Sequence, residues 1–355
     1  MKHLSYLFII LFFAACQAVP ENTEEITPLV HTKASELFHA QTDNITLNDI
    51  GILNPSKMVH KDSLFILLTP HSSHCFAIYN QADGKVCRLV PAGKGDSKGL
   101  FFLNLHLNGN TVSSFDFGQG RLVEIDLTRC THPGYQPTFT DLTGNGKKPL
   151  GAIRNGSTII STGIYPAGRY CITTGTGNHD TYSVPYPQCA ASGLNDTLKS
   201  IFYASNSLAL HPSGNRLACA NLQYGCLDLC NIEGERLTRL QEVHLNRPGV
   251  LFRKRPAGKG LWHPVAYTRN NLFGFCDLSV SDSCIYALYS GRSTRNHSGN
   301  VDKGRIIFVF DWNGTHLRTY HLSVDCSSIS YDASTNSLYA LSHHEGKSEI
   351  ITLPI

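Results

Sequence analysis

The stretch Cys284–Leu322 reads CIYALYSGRSTRNHSGNVDKGRIIFVFDWNGTHLRTYHL. It holds three strand-like runs, one tight turn and one polar excursion. In RIIFVFDW, Ile306, Phe308, Phe310 and Trp312 fall on one face of a strand and Ile307 and Val309 on the other. Apolar residues on both faces suit a strand packed between two layers. Asn313-Gly314 supplies the left-handed backbone of a tight hairpin. The more polar THLRTYHL that follows suits an outer edge strand. The excursion STRNHSGNVDK is then an insertion between the second and third strands of a four-stranded unit.

That unit recurs. SKMVHKDSLFILLTPHSSHCFAIYNQADGKVCRLVPAG carries it first, with Asp83-Gly84 as a hairpin signal. Further copies begin at FFLNLHLNGNTVSSFDFGQGRLVEIDL, near GAIRNGSTIISTGIYPAGRY, and at SLALHPSGNRLACANLQYGCLDLC. The Cys284 stretch, preceded by FGFCDLSVSD, is the fifth. CSSISYDASTNSLYALSHHEGKSEIITLPI is the sixth, and it has only three strands. The segment NITLNDIGIL, residues 44–53, has no other home and is expected to supply the missing strand. Four-stranded units at a period of about 40–50 residues predict a propeller. The expected fold is therefore all-β: six four-stranded antiparallel blades, closed into a ring by an N-terminal strand. No amphipathic helical run of useful length competes with it.

Composition agrees. Charged residues are 16% of the 355, and Gly is frequent at 30 residues, which favours strands and turns over helices. Thirty basic against 27 acidic residues gives a net charge of +3, which makes no case for nucleic acid as a partner.

At the N-terminus, Lys2 and His3 precede the apolar run Leu4–Phe13, too short to span a bilayer and suited to a signal-peptide core. The run ends in Phe13-Ala14-Ala15-Cys16, which resembles a lipobox with Phe in place of Leu. The expected organisation is a lipoprotein signal peptide over 1–16, with Cys16 as the lipid attachment site. A polar tether follows over 17–36, and the propeller over 37–355. The expected address is the cell envelope: an outer-membrane lipoprotein facing the periplasm or the cell surface.

The order and spacing of several motifs resemble the TolB-like six-bladed β-propeller lipoproteins of Gram-negative anaerobes. These motifs are FAIYNQADGKV, SSFDFGQGRLVEIDL, IISTGIYPAGRY, ALHPSGNRLA, IYALYSGR with GRIIFVFDWNGTHLRTYHL, and YDASTNSLYAL. The resemblance covers roughly residues 40 to 355. The turn AGKGDSKG lacks a proline often present in relatives, and the cysteine count is unusual. The resemblance implies the fold and envelope placement. It implies no settled activity and brings no catalytic residues.

Twelve cysteines are present, eleven without Cys16. Cys226 and Cys230 in CLDLC share one strand face at about 13 Å, too far to bond each other. Most thiols sit in apolar runs and read as small buried hydrophobes, with a few non-local disulfides left open.

For chemistry, first strands would present His60, His106, Arg154, His211, Asp277 and Asp332 to a central channel. Only two of the six are carboxylates, which is poor material for a metal centre. His71-Ser72-Ser73-His74 and His343-His344-Glu345 are placed in solvated loops, and Thr174–Asn178 in a turn. Neither cofactor nor metal is expected. The strongest binding feature is NRPGVLFRKRPAGKGLWHP, an irregular insertion carrying Arg253, Arg255, Lys259 and Trp262. Arg292 of the excursion is expected to stand beside it. Basic groups next to exposed aromatics suit anionic sugars, phospholipid heads or acidic protein surfaces. The favoured function is a non-catalytic binding or scaffold module for an envelope protein or glycan, attached to the membrane by its lipid. The alternative is a propeller hydrolase or lyase with its active site at the channel mouth.

Overall fold

In the computed structural model, residues 35–38, 44–175, 179–187, 195–204, 206–246, 249–252 and 265–355 are described. Two short strands come first, β1 (Ser35–Phe38) and β2 (Ile45–Thr46). Blade one is β3 (Lys57–Lys61), β4 (Leu64–Leu68), β5 (His74–Asn80) and β6 (Lys85–Pro91). Blade two is β7 (His106–Asn108), β8 (Thr111–Asp116), β9 (Arg121–Asp126) and β10 (Thr138–Asp141). Blade three is β11 (Pro149–Asn155), β12 (Thr158–Gly163), β13 (Tyr170–Thr174) and β14 (His179–Ser183). The helix α1 (Asp196–Phe202) precedes blade four, which is β15 (Asn206–Leu210), β16 (Arg216–Asn221), β17 (Cys226–Glu233) and β18 (Arg236–His244). A separate ladder, β19 (Val250–Phe252) with β20 (Val265–Tyr267), leads to blade five. Blade five is β21 (Phe275–Val280), β22 (Cys284–Tyr289), β23 (Gly304–Asp311) and the first half of β24 (His316–Asp332). The second half of β24 opens blade six, followed by β25 (Ser337–His344) and β26 (Lys347–Pro354).

The ring closes through β2, whose Ile45 pairs with Ile350 and Thr46 with Glu349. Only these two residues of the segment 44–53 extend the sheet. Leu47–Ile50 is instead a 3-10 helix, stopped by Gly51 in the left-handed region at φ 73°. The chain must leave the rim of blade six and reach the axis by Lys57, so it cannot stay extended. Leu47 and Ile52 are buried on the way, against Phe65 and Ile350.

THLRTYHL is the outer strand of blade five but not its edge. β1 covers it in parallel, Ser35 opposite Thr319 and Phe38 opposite Leu322. The hairpin before it also differs from expectation. Gly314 alone takes positive φ, at 84°, while Asp311 accepts hydrogen bonds from the Asn313 and Thr315 amides at 2.9 and 2.8 Å.

The core is divided by seams, one hydrophobic cluster per pair of neighbouring blades. β23 shows why the two-faced strand pattern mattered. Phe308, Phe310 and Trp312 pack toward blade four with Ala218 and Leu229. Ile307 and Val309 pack toward blade six with Leu338 and Ile351. Each such side chain removed from water contributes about 1.5–3 kcal/mol. Of the ten described cysteines, eight are buried and two partly buried, and all are free.

At the axis, three inner strands are laced by side chains at alternate positions. Asp277 accepts from the Ile329 amide at 3.0 Å, and Ser279 from the Tyr331 amide at 2.8 Å. Ser328 and Ser330 in turn accept from the Met58 and His60 amides at 3.0 and 2.9 Å. A two-residue side-chain period on a strand aims both groups of each pair at the same neighbour. Lys57 completes the lacing by donating to the carbonyls of Cys276 and Ser327, at 2.5 and 3.0 Å.

Candidate functional site

Six residues were expected at the channel, and the structure brings one of them there. His106 lines a cavity of about 60 Å³ at the axis with Val59, Leu107, Leu208, Leu278 and Ile329. Such a space holds a few waters, far below the several hundred Å³ of a substrate pocket. The lining comes from blades one, two, four, five and six. Asn104 donates to the Asn206 carbonyl at 2.8 Å, so blades two and four meet directly near the axis. Burial pushes His106 down to about 4, which keeps its imidazole neutral.

The other five face elsewhere. His60 points between blades six and one, against Phe65 and Tyr339, with Nδ1 3.3 Å from Asp332. Asp332 also caps its own turn through Ser334. Arg154 is paired with Glu124 at 2.8 Å. His211 sits in an inter-strand turn, on Ser213 and the Trp312 ring. Asp277 is enclosed by the lacing described above, and burial raises its pKa. Among the described residues, no three of His, Cys, Asp and Glu converge on a common point. Strand position alone put these side chains at the axis. Which of the two strand faces each takes is decided by neighbouring blades, and that pattern is not visible in single strands.

His343 and His344 are not in a loop. They end β25, pairing with Ser348 and Lys347. Glu345 and Gly346 both take positive φ, 50° and 78°, so a two-residue turn lets the strands run to its edge. His343 Nε2 lies 2.9 Å from Ser327 Oγ, and Nδ1 lies 3.1 Å from Ser348 Oγ. Burial holds His343 down at about 4, which makes it a weak base for activating the serine. His71 and His344 are exposed, as expected of surface positions.

Strand order fixes where the long connections emerge. In a four-stranded antiparallel blade, the second-to-third and blade-to-blade connections leave from the same end. The four longest connections, 92–105, 184–205, 245–274 and 290–303, are all of these two kinds. One face of the ring therefore carries them all. Arg253, Arg255, Lys259 and Trp262 lie outside the described residues, as does Cys16. The β19–β20 ladder flanks the basic segment in sequence. Arg292 is bound to Asp325 at 2.5 and 3.1 Å and to the Asn300 carbonyl at 3.2 Å. Those bonds order the 290–303 connection.

On the 92–105 connection, Leu100, Phe101 and Leu103 are 40–41% exposed. Asp116, fully buried, accepts from the Leu100 and Phe101 amides at 2.9 and 3.0 Å and holds the loop in place.

A cavity of about 710 Å³ lies at the rim between blades three and four. Its walls include Tyr182, Pro185, Asp196, Arg236 and Arg239. Beneath it runs a buried polar network that sequence reading missed. Asp228, with no exposed surface, accepts from Arg239 at 2.8 Å and from Tyr170 at 2.9 Å. Arg169, 1% exposed, stands 3.4 Å from the same carboxylate and over the Tyr203 ring at 4.9 Å. Arg239 also reaches Glu242 at 2.7 Å and the Pro185 carbonyl at 2.7 Å. Two arginines against Asp228 and Glu242 leave the network neutral. The signal in the sequence was an aspartate inside the apolar run CLDLC, which must find a cation.

A family model described as TolB-like 6-blade propeller-like matches residues 35–333. No curated protein matches the sequence. Among solved structures, a member of the duf4221 family from Bacteroides vulgatus is similar at a TM-score of 0.52 and 9% identity. That alignment covers 93% of this chain and 97% of the other. A gluconolactonase from Xanthomonas campestris is similar at a TM-score of 0.51 and 12% identity, over 89% of this chain and 91% of the other. Likeness at such identities is a likeness of fold.

Proposed function

We propose, on the premise that this chain belongs to the TolB-like 6-blade propeller-like family, that it is a lipid-anchored, non-catalytic binding or scaffold module of the cell envelope. Its partner is a protein or a glycan. The observation that carries this reading is the contrast between axis and rim. At the axis a cavity of about 60 Å³ stands beside a neutral His106, whereas a cavity of about 710 Å³ opens at the rim between blades three and four. A rigid ring with open grooves and long loops suits recognition. Tyr182 offers an aromatic face, and Arg236 and Asp196 offer charges of both signs, a combination that fits a polypeptide segment or a sugar chain. The lipid anchor at Cys16 rests on the N-terminal sequence alone.

The test is affinity capture from solubilised envelopes, run beside a glycan array of the soluble domain, with Tyr182→Ala and Arg236→Glu as controls. Capture of one partner by the wild type, lost in both variants, supports the reading. Identical recovery from wild type and variants removes the rim groove as the binding site. A hydrolytic activity that survives both substitutions overturns the non-catalytic assignment.

A further inference from the structure

Cys87 lies on β6, partly buried, at the seam between blades one and two. Cys130 is fully buried in the same seam, on the connection after β9. The Cys87 thiol donates to the Cys130 carbonyl at 3.8 Å, and the Cys130 thiol to the Leu127 carbonyl at 3.4 Å. The two thiols also sense each other electrostatically, since Cys87 contributes to the raised pKa of Cys130.

We propose that Cys87 and Cys130 form a disulfide when the protein meets a disulfide-bearing thiol oxidant. This links the outer strand of blade one to blade two. Two other pairs come close, and geometry or access removes each. Cys219 and Cys230 are diagonal across β16 and β17, where Cα atoms stand about 7–8 Å apart, beyond bridging distance. Cys276 and Cys326 are sealed at the axis with 4% and 0% of their surface exposed. Cys284 is also partly buried, but Cys276 and Cys326 of its seam lie at the opposite end of the blade. Among the described cysteines, that leaves Cys87 as the partly exposed thiol with a partner thiol close by.

The chemistry balances as ordinary thiol–disulfide exchange. The Cys87 thiolate attacks one sulfur of the oxidant and releases the first thiol. Cys130 turns from the Leu127 carbonyl, loses its proton, and attacks Cys87 sulfur in the mixed disulfide, releasing the second. Two electrons pass to the oxidant and two protons end on the released thiols. Cys87 attacks first because it is the accessible partner, whereas burial pushes Cys130 up to about 11.

The experiment equilibrates the full chain with oxidised glutathione, blocks remaining thiols with N-ethylmaleimide in denaturant, and maps peptides by mass spectrometry without reduction. The expected result is a cross-linked pair of peptides containing Cys87 and Cys130. The melting temperature should then fall by roughly 5–10 °C on adding a phosphine reductant, for a loop of 43 residues. A Cys87→Ala variant should melt at the same temperature with and without reductant. Recovery of both cysteines as maleimide adducts after oxidation, or a Cys87–glutathione adduct that never resolves, overturns the proposal.

Discussion

Ser328 Oγ accepts the Met58 amide at 3.0 Å and stands 3.0 Å from the Met58 carbonyl, across 270 residues of chain. The same hydroxyl contacts the Asp277 carboxyl. One hydroxyl proton serves two acceptors, the Met58 carbonyl and the Asp277 carboxyl. Burial raises the Asp277 pKa, against the Lys57 charge and the hydrogen bonds from Ser328 and two backbone amides, which lower it. Three blades are thus joined at one oxygen.

Ser328→Ala should cost about 2 kcal/mol, because it leaves buried polar groups of Met58 and Asp277 short of partners. Urea denaturation followed by tryptophan fluorescence measures it. An unchanged midpoint would show that the lacing does not stabilise the ring closure.

Asp228→Ala removes the only carboxylate common to Arg169 and Arg239 among the contacts described. Breaking a buried pair by deleting one partner costs about 3–5 kcal/mol. Thermal melts should show the loss, and Asp228→Asn should recover part of it by keeping the Tyr170 hydrogen bond.

Acid should weaken the fold between pH 6.5 and about 4. His106 and His343 have folded-state pKa values near 4 against an ordinary 6.5, so the unfolded chain binds protons first as pH falls. Stability from these groups is complete above pH 6.5 and is lost as pH drops to about 4, by roughly 3 kcal/mol for His106. Asp277, raised by burial, works in the opposite direction over the acid range. His106→Asn should flatten the pH dependence of the urea midpoint.

Two truncations separate β1 from ring closure. A chain beginning at residue 44 loses, among the described residues, the β1 ladder alone and should melt within a few degrees of the full chain. A chain beginning at residue 54 also loses β2, Leu47 and Ile52, whose burial contributes about 1.5–3 kcal/mol for each side chain. Its melting temperature should fall much further, read by circular dichroism.

The blades were legible because strands packed on both faces leave a double apolar pattern, as Ile307 and Phe308 do in β23. The shortfall of the sixth copy likewise announced the partnership of the two chain ends. Side-chain direction at the axis was not legible. His60 stands one residue nearer its hairpin turn than His106 does, so the two take opposite strand faces, and Val59 rather than His60 joins His106 at the cavity. The helix α1 escaped notice because its seven residues carry too few turns for a periodic signal, and it rests on an aromatic cluster with Tyr186, Tyr203 and Tyr224. The Arg169–Asp228 pairing joins two blades: Asp228 stood out in the apolar run CLDLC, but nothing in either segment named Arg169 as its partner.

β1 runs parallel to the outer half of β24, entering from the face that carries the short turns. A pull on the N-terminal segment along that direction loads all the rungs of its ladder together, in shear, and does not unzip them one by one. Because β24 continues unbroken into blade six, the tension is delivered to the blade that holds both chain ends. Along that line the β1 ladder resists as a unit.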